Sequence, residues 1–319
     1  MRLLLALLAA LVSPSLAAQA YPAKPVKIIV PAQPGGGLDL VGRTIGEQLG
    51  RALEQSFIIE NSAGAGGSIA AMTVARAAPD GYTLMVGYVG THGTNPAVRK
   101  LQYDAIRDFT PIAMVGGTPN VLVVQPSLPV SDLASFVAYA RANPAKLNYG
   151  TGGIGLLNHL ALEQFRAAAA LEAPAYVHYK GIGPAIADML GGQIQVLFPG
   201  LAAALPHIRS GKLKPLAITG LHRHPLQPDL PTFEELGYKG FDGVQWYGIV
   251  GPAKLPPEIT RRLNSEINRA LASPALRERL AGEALEPMPM TPEQFGDFIR
   301  ADIARWSALA RERNIRLDD

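Results

Sequence analysis

A chain of 319 residues with a formal charge of +3, 48% hydrophobic composition and no cysteine excludes several classes of protein at once. Without cysteine there are no disulfides, thiolate metal sites or Cys nucleophiles. The small net charge comes with no Lys/Arg block interleaved with aromatics, so the electrostatic footprint of nucleic-acid binding is missing.

Residues 1–20 read as a cleavable secretion signal. Arg2 supplies the positive end, Leu3–Val12 the apolar run, and Ala18-Gln19-Ala20 an A-x-A cleavage site, with Ser15-Leu16-Ala17 as a second candidate. The apolar run is too short to span a bilayer. Its removal takes away Arg2 and no acid, so the charge falls by one. The mature protein is expected to be soluble, exported and stabilised by its core alone.

The first segment behind the signal is the most informative. In YPAKPVKIIVPAQPGGGLDLVGR (Tyr21–Arg43), Val26, Ile28 and Val30 alternate along a strand, Pro31 and Pro34 end it, and Gly35-Gly36-Gly37 make a turn. Leu38, Val41, Ile45, Leu49, Ala52 and Leu53 then recur at helical spacing. A glycine turn feeding a helix leaves backbone N–H groups unpaired at the positive end of the helix dipole, and these bind anions.

Further strands are expected at Ser56–Glu60, Thr83–Gly87, Thr110–Val115, Val121–Gln125, Leu147–Tyr149, Ala175–His178, Gln193–Phe198 and Leu213–Thr219. Helical patterns fall between them, for example at Ala65–Ala77, Val130–Ala142, Leu156–Ala170, Gly183–Leu190 and Ala202–Ser210. The alternation predicts an α/β fold with largely parallel sheets. Pro126 and Pro129 after one apolar strand, and Pro225 and Pro228 after another, mark two crossings between lobes. Residues 21–120 plus 221–319 would form one lobe and 121–220 the other. Phe295, Phe298, Ile299, Ile303, Trp306, Leu309 and Ala310 make one face of a final helix expected to pack back onto the first lobe.

Gly150-Thr151-Gly152-Gly153-Ile154-Gly155 matches G-x-G-x-x-G between a strand and a helix. A dinucleotide site wants an acid at the end of the following strand. Here Glu172 precedes that strand, which ends in Tyr179-Lys180, so no dinucleotide and no other cofactor is expected. Read instead as a second anion cup, the turn offers glycine backbone and the Thr151 hydroxyl at a helix start. Two cups facing each other across a cleft suit a small ligand with a carboxylate at one end, or at both.

His159 lies one turn into the helix after this cup. It is either a satisfied helix residue facing the interface or a donor to a ligand oxygen. His222 and His224 sit in a Pro-flanked loop with no acid beside them before Asp229, so no metal site is expected. No G-x-S-x-G elbow and no H-E-x-x-H occurs, and no catalytic machinery is visible.

Six ordered blocks carry a resemblance. After the first segment come ENSAGAGGSIAAMTVARAAPDGYTLMVG (Glu60–Gly87), YDAIRDFTPIA (Tyr103–Ala113), KLNYGTGGIGLLNHLALEQF (Lys146–Phe165), YKGIGPAIADMLGGQIQVLF (Tyr179–Phe198) and PHIRSGKLKPLAITG (Pro206–Gly220). Together they resemble the Bug family, the extracytoplasmic solute receptors of tripartite tricarboxylate transporters. The resemblance implies a type II periplasmic binding protein fold, two α/β lobes closing on a small organic carboxylate. It also implies membrane permease subunits as partners, with the receptor itself a monomer.

Carried over residue by residue, the family's first ligand loop maps to Gly35, Gly36 and Asp39, its second to Thr151, Gly152 and Gly155, and its Y-K-G turn to Lys180 and Gly181. Thr91 and Asn95 fall in a cleft-facing loop of the first lobe. Three positions depart from the family pattern: Ala32 replaces Phe, Leu156 replaces Ser, and Pro199 replaces Asp. Leu156 is expected to line the second cup with hydrocarbon. Two other classes remain open, a sensory receptor using the same cleft and an exported enzyme with His159 or Asp39 as acid–base.

Overall fold

The computed structural model describes residues 21–316 except 173, 180 and 242. The expected signal segment and the Lys180 assignment lie outside the described residues.

Strand β1 (Val26–Val30) is central because both its faces are apolar: Val26, Ile28 and Val30 enter one core layer and Ile29 the other. It pairs in parallel with β2 (Phe57–Asn61) and β3 (Thr83–Tyr88). Helix α1 (Gly37–Leu53) buries Val41, Ile45, Leu49 and Leu53. A 3-10 turn at Ala65–Gly67 leads into α2 (Ser68–Ala75). A π-turn over Gly90–Thr94 and α3 (Asn95–Val98) precede β4 (Phe109–Pro119).

After Asn120 the chain enters a second sheet as β5 (Val121–Val124). There follow α4 (Leu133–Ala142), β6 (Asn148–Thr151), α5 (Leu157–Ala168), β7 (Ala175–His178), α6 (Ile182–Leu190), β8 (Val196–Leu197), α7 (Leu201–Arg209) and β9 (Lys214–Ile218). Strand β10 (Val244–Pro252) returns to the first sheet, and α8 (Pro257–Ala272), α9 (Pro274–Gly282), β11 (Glu286–Pro287) and α10 (Pro292–Glu312) complete it. The strand orders are β11-β4-β10-β3-β1-β2 and β7-β6-β8-β5-β9. No helix among the described residues is long and apolar enough to cross a membrane.

Both sheets are mixed, where the alternation predicted largely parallel ones. β10 lies antiparallel between β3 and β4, and β5 antiparallel between β8 and β9. The double crossing is the cause: a strand leaving a sheet and a strand returning beside it must run in opposite directions. β10 also escapes a period-2 reading because Trp246–Pro252 is buried throughout, which leaves no polar alternation.

The sheet change on the return falls at Val244, not after residue 220. Residues 221–241 stay with the second sheet, where Phe233 and Phe241 stack at 4.6 Å in its core. The Gly220 N–H donates to the Phe241 carbonyl at 2.8 Å and Thr232 bridges to Ile218. The proline-rich loop therefore folds back before the chain crosses. In the first sheet, α10 packs Phe295, Ile299, Trp306 and Ala310 into the core, and Leu157 and Leu160 of α5 join the same cluster. An apolar seam between α5 and α10 thus joins the lobes.

Phe233 is fully buried, so Phe233→Ala should cost about 3–5 kcal/mol, as large-to-small core changes do. Urea unfolding checks this. A loss under about 1 kcal/mol would show that the 221–241 segment is not part of that core.

Candidate functional site

The first glycine turn is built by Asp39. Gly35 has a φ of +93°, a conformation natural to glycine, and its N–H donates to Asp39 Oδ2 at 3.0 Å. Arg43 Nε donates to the same oxygen at 2.9 Å, and Asn61 Nδ2 donates to Asp39 Oδ1 at 2.9 Å and to the Ala32 carbonyl at 3.1 Å. The Arg43 bond, reinforced by Gly35 and Asn61, lowers the Asp39 pKa to about 2. These contacts make Asp39 a clamp on the loop. Ala32 is half-buried against the core of the first sheet.

Having no side chains, Gly36 and Gly37 leave their backbone facing open space and an aromatic hydroxyl. An ideal Cβ on Gly36 meets nothing within 4 Å, and one on Gly37 lies 3.1 Å from Tyr247 Oη. Helix α1 starts here with no side-chain cap. Helices α5, α6 and α7 also start uncapped, at Leu156, Gly181 and Gly200. By contrast, Asp132, Ser273 and Thr291 cap α4, α9 and α10.

Helices α2, α3 and α8 also lack a side-chain cap, at Gly67, Thr94 and Pro256, whereas the starts of α1, α5, α6 and α7 converge on one cavity of 340 Å³ between the lobes. Gly35, Gly36, Gly37 and Leu40 line it from α1, and Asn158, Ile182, Ala202 and Ala203 from α5, α6 and α7. Thr118, Gln245 and Tyr247 form its floor on the strands that join the lobes, and Glu283 and Leu285 complete the wall. Positive charge at the walls comes from helix ends, since no Lys or Arg is among the described lining residues. A larger hollow of 620 Å³ lies between α3 and the end of α10, within a single lobe and away from this cleft.

The second cup is folded on itself. The Gly152 N–H donates to Asn158 Oδ1 at 3.0 Å, Gly153 N–H to Thr151 Oγ1 at 3.3 Å, and Gly155 N–H to His159 Nδ1 at 3.1 Å. A Cβ on Gly152 would sit 3.1 Å from the Ile182 nitrogen, so this glycine lets the starts of α5 and α6 meet. Gly181 donates to the Gly152 carbonyl at 2.8 Å and holds them together. Leu156 lies over Gly153, outside the cavity lining. His159 is buried edge-on to Tyr176 and His178, and burial first, then the charge of His178, lowers its pKa to about 4. It is neutral at physiological pH, with Nδ1 already occupied.

Thr91 and Asn95 are buried in the first lobe and do not reach the cavity. Asn95 Nδ2 donates to the Gly66 carbonyl at 2.8 Å, and Thr91 Oγ1 bonds His92 Nδ1 at 2.8 Å. Asn95 thus supports the Gly64–Gly67 turn, while Thr91 also bonds the Tyr88 backbone. His222 is exposed, while His224 is buried with Nε2 3.5 Å from Glu286 Oε1, so the two histidines share no site. Of the residues singled out by sequence, Gly35 and Gly36 line the cavity; Thr118, Asn158, Gln245 and Tyr247 were missed. The signal for Gln245 and Tyr247 was their i, i+2 spacing on a strand that returns between the lobes.

A cleft between two α/β lobes, ringed by helix N-termini, defines a two-lobe solute-binding protein. The chain belongs to the tripartite tricarboxylate transporter family receptors, whose family model matches residues 41–315. It is 36% identical over 308 residues to protein BugT of Bordetella pertussis, covering 94% of this chain and 92% of that one. Among solved structures it is similar to Rhodopseudomonas palustris Rpa4515 with adipate, at 35% identity and TM-score 0.85 over 93% of this chain and 99% of that one. It is likewise similar to MatC of the same organism with bound malate, at 33% identity and TM-score 0.80 over 91% and 99%.

The Asp39 clamp has a pH signature. Its pKa is depressed in the folded state, so its contribution is full above the unfolded value of about 4 and fades as pH falls toward 2. Asp39→Asn should cost about 1–3 kcal/mol at neutral pH. The stability gap from wild type should close between about pH 4 and 2, as measured by denaturant melts; a gap independent of pH would refute the clamp.

Proposed function

We propose that this protein captures a small organic acid, with a dicarboxylate as the preferred class, in the interlobe cleft and delivers it to membrane permease subunits. The observation that carries this reading is the convergence of four uncapped helix N-termini on one cavity. Their unpaired N–H groups and dipoles favour anions. The starts come from both lobes, α1 from one and α5, α6 and α7 from the other, so an acid with a carboxylate at each end can engage both. Relatives with adipate and with malate support the class of ligand.

The magnitudes are adequate. A favourable helix terminus contributes up to about 2 kcal/mol to an anion, and micromolar affinity needs about 8 kcal/mol. The remainder falls to burial of the ligand's carbon chain against Leu40, Ile182 and Leu285. Export to the periplasm accords with the family and with residues 1–20 as a signal. Both acid–base candidates, Asp39 and His159, are engaged in internal hydrogen bonds and lie off the cavity lining, which supports a receptor over an enzyme.

Gly36 provides the test, because its φ of −94° accepts a side chain and its Cβ would point into open space. Gly36→Val should fold with an unchanged melting temperature and lose at least about a hundredfold in affinity for the dicarboxylate that binds wild type. Calorimetry across succinate, malate, adipate and citrate measures this. Wild-type affinity in Gly36→Val would remove α1 as a carboxylate seat, and no binding by any of these acids would overturn the receptor reading.

A further inference from the structure

The hollow of 620 Å³ in the first lobe shares no lining residue with the cleft, and its charge is one-sided. Arg99 and Lys100 follow α3 on one wall, and Arg311 and Arg316 stand at the end of α10 on the other. No Asp or Glu is among the described lining residues. Glu312, next to Arg311 in α10, belongs to another side of the helix: it pairs with Arg313 at 3.1 Å and lines a different hollow beside α5. Lys100, Arg311 and Arg316 are exposed and Arg99 is half-buried. None of the four has a carboxylate in ion-pair contact among the described residues. Unpaired arginines occur elsewhere too, Arg76 and Arg209 among them. What marks this place is four such cations around one hollow, in a chain whose whole formal charge is only +3.

Like charges gathered in a concavity raise the local potential and draw in anions. Guanidinium forks match carboxylates through paired hydrogen bonds, and arginine clusters are a recurring means of reading acidic segments. Beneath the charged rim the floor is apolar: Pro96 and Ala97 are half-buried there, with Ala310 and Ile315 behind them. An anionic bilayer also attracts basic patches, but its flat surface would meet the rim and leave the floor empty. A small free anion would leave the floor empty as well. A peptide segment with apolar side chains between its carboxylates satisfies rim and floor together. We infer that this hollow is a docking surface for an acidic, apolar-spaced segment of a protein partner. Its walls, α3 and the end of α10, belong to one lobe, so docking is independent of what fills the cleft.

Fluorescence anisotropy with a labelled peptide of alternating glutamate and leucine tests this at low salt. Wild type should bind it, and the affinity should fall as salt is raised. Lys100→Glu combined with Arg311→Glu should weaken binding at least about tenfold. Arg209→Glu combined with Lys212→Glu, at exposed positions of the other lobe, changes the net charge equally and should leave the affinity as it was. Peptides with glutamine for glutamate, or serine for leucine, should bind more weakly than the parent, and all variants should keep the wild-type melting temperature. No binding of the parent peptide, an equal loss in the Arg209 and Lys212 pair, or equal binding of the serine peptide would overturn the docking surface. So would phosphatidylglycerol vesicles that bind in place of the peptide and are lost on the same Lys100 and Arg311 reversal. Leu317, Asp318 and Asp319 follow Arg316 and lie outside the described residues. Peptide binding seen only after Asp318→Asn with Asp319→Asn would assign the hollow to the chain's own end and overturn the partner.

Discussion

A chain that leaves one sheet for another and comes back must lay its outgoing and returning strands side by side, and everything at the cleft follows from this. β4 continues through Asn120 into β5, and β10 returns antiparallel beside β4. Asn120 is tied on both flanks: its N–H donates to Thr219 Oγ1 at 2.9 Å and its Nδ2 to the Phe198 carbonyl at 3.1 Å. Two neighbouring strands bend as one, so the lobes keep a common floor whatever their separation. Side-chain alternation then sends Thr118, Gln245 and Tyr247 to the cleft side of the joining strands. Gly117, Pro119 and Val244 face a separate hollow behind them.

Around that floor the proposed anion site draws its positive charge from backbone alone. Helix ends deliver partial positive charge without a flexible cation, so the site is ordered before the ligand arrives. The cost is stability, because a missing N-cap is worth about 1 kcal/mol per helix. Four such omissions at one cavity are large beside the 5–15 kcal/mol that typically holds a domain together (order of magnitude). Away from the cavity, α4, α9 and α10 carry side-chain caps while α2, α3 and α8 do not. On the proposed reading a ligand oxygen at the cleft would complete the missing caps, linking occupancy and folding stability through the same atoms.

The first ligand loop was legible in the sequence because its periodicity changes from 2 to 3.6 across three glycines within a few residues. Most strands and helices were readable for the same reason. The second cup shows the limit. Its glycines are visible, but the fate of their N–H groups depends on whether Asn158, Thr151 and His159 fold back onto them, which spacing does not encode. Thr118 and Gln245 depend on a register between strands more than a hundred residues apart. Thr91 and Asn95 lay in a recognisable loop, yet their side chains turn inward, Asn95 to the Gly66 carbonyl and Thr91 to Tyr88 and His92, instead of outward to the cleft. Asp39 was visible as a charged residue beside glycine, and only the three donors around it reveal a structural clamp.

The apolar seam between α5 and α10 has a kinetic meaning. Leu157 and Leu160 enter a cluster with Trp306 and Phe295 of the other lobe, and exposing a leucine of this kind costs about 1.5–3 kcal/mol. Parting the lobes along the seam therefore carries a barrier set by hydrocarbon, independent of what fills the cleft. A solute that enters by parting the lobes along this seam would wait on the fraction of time the seam stands open. Escape passes through the same gate with the helix-end contacts also to be broken. Residence time is thereby lengthened by residues that never touch the solute, and affinity and exchange rate can evolve separately.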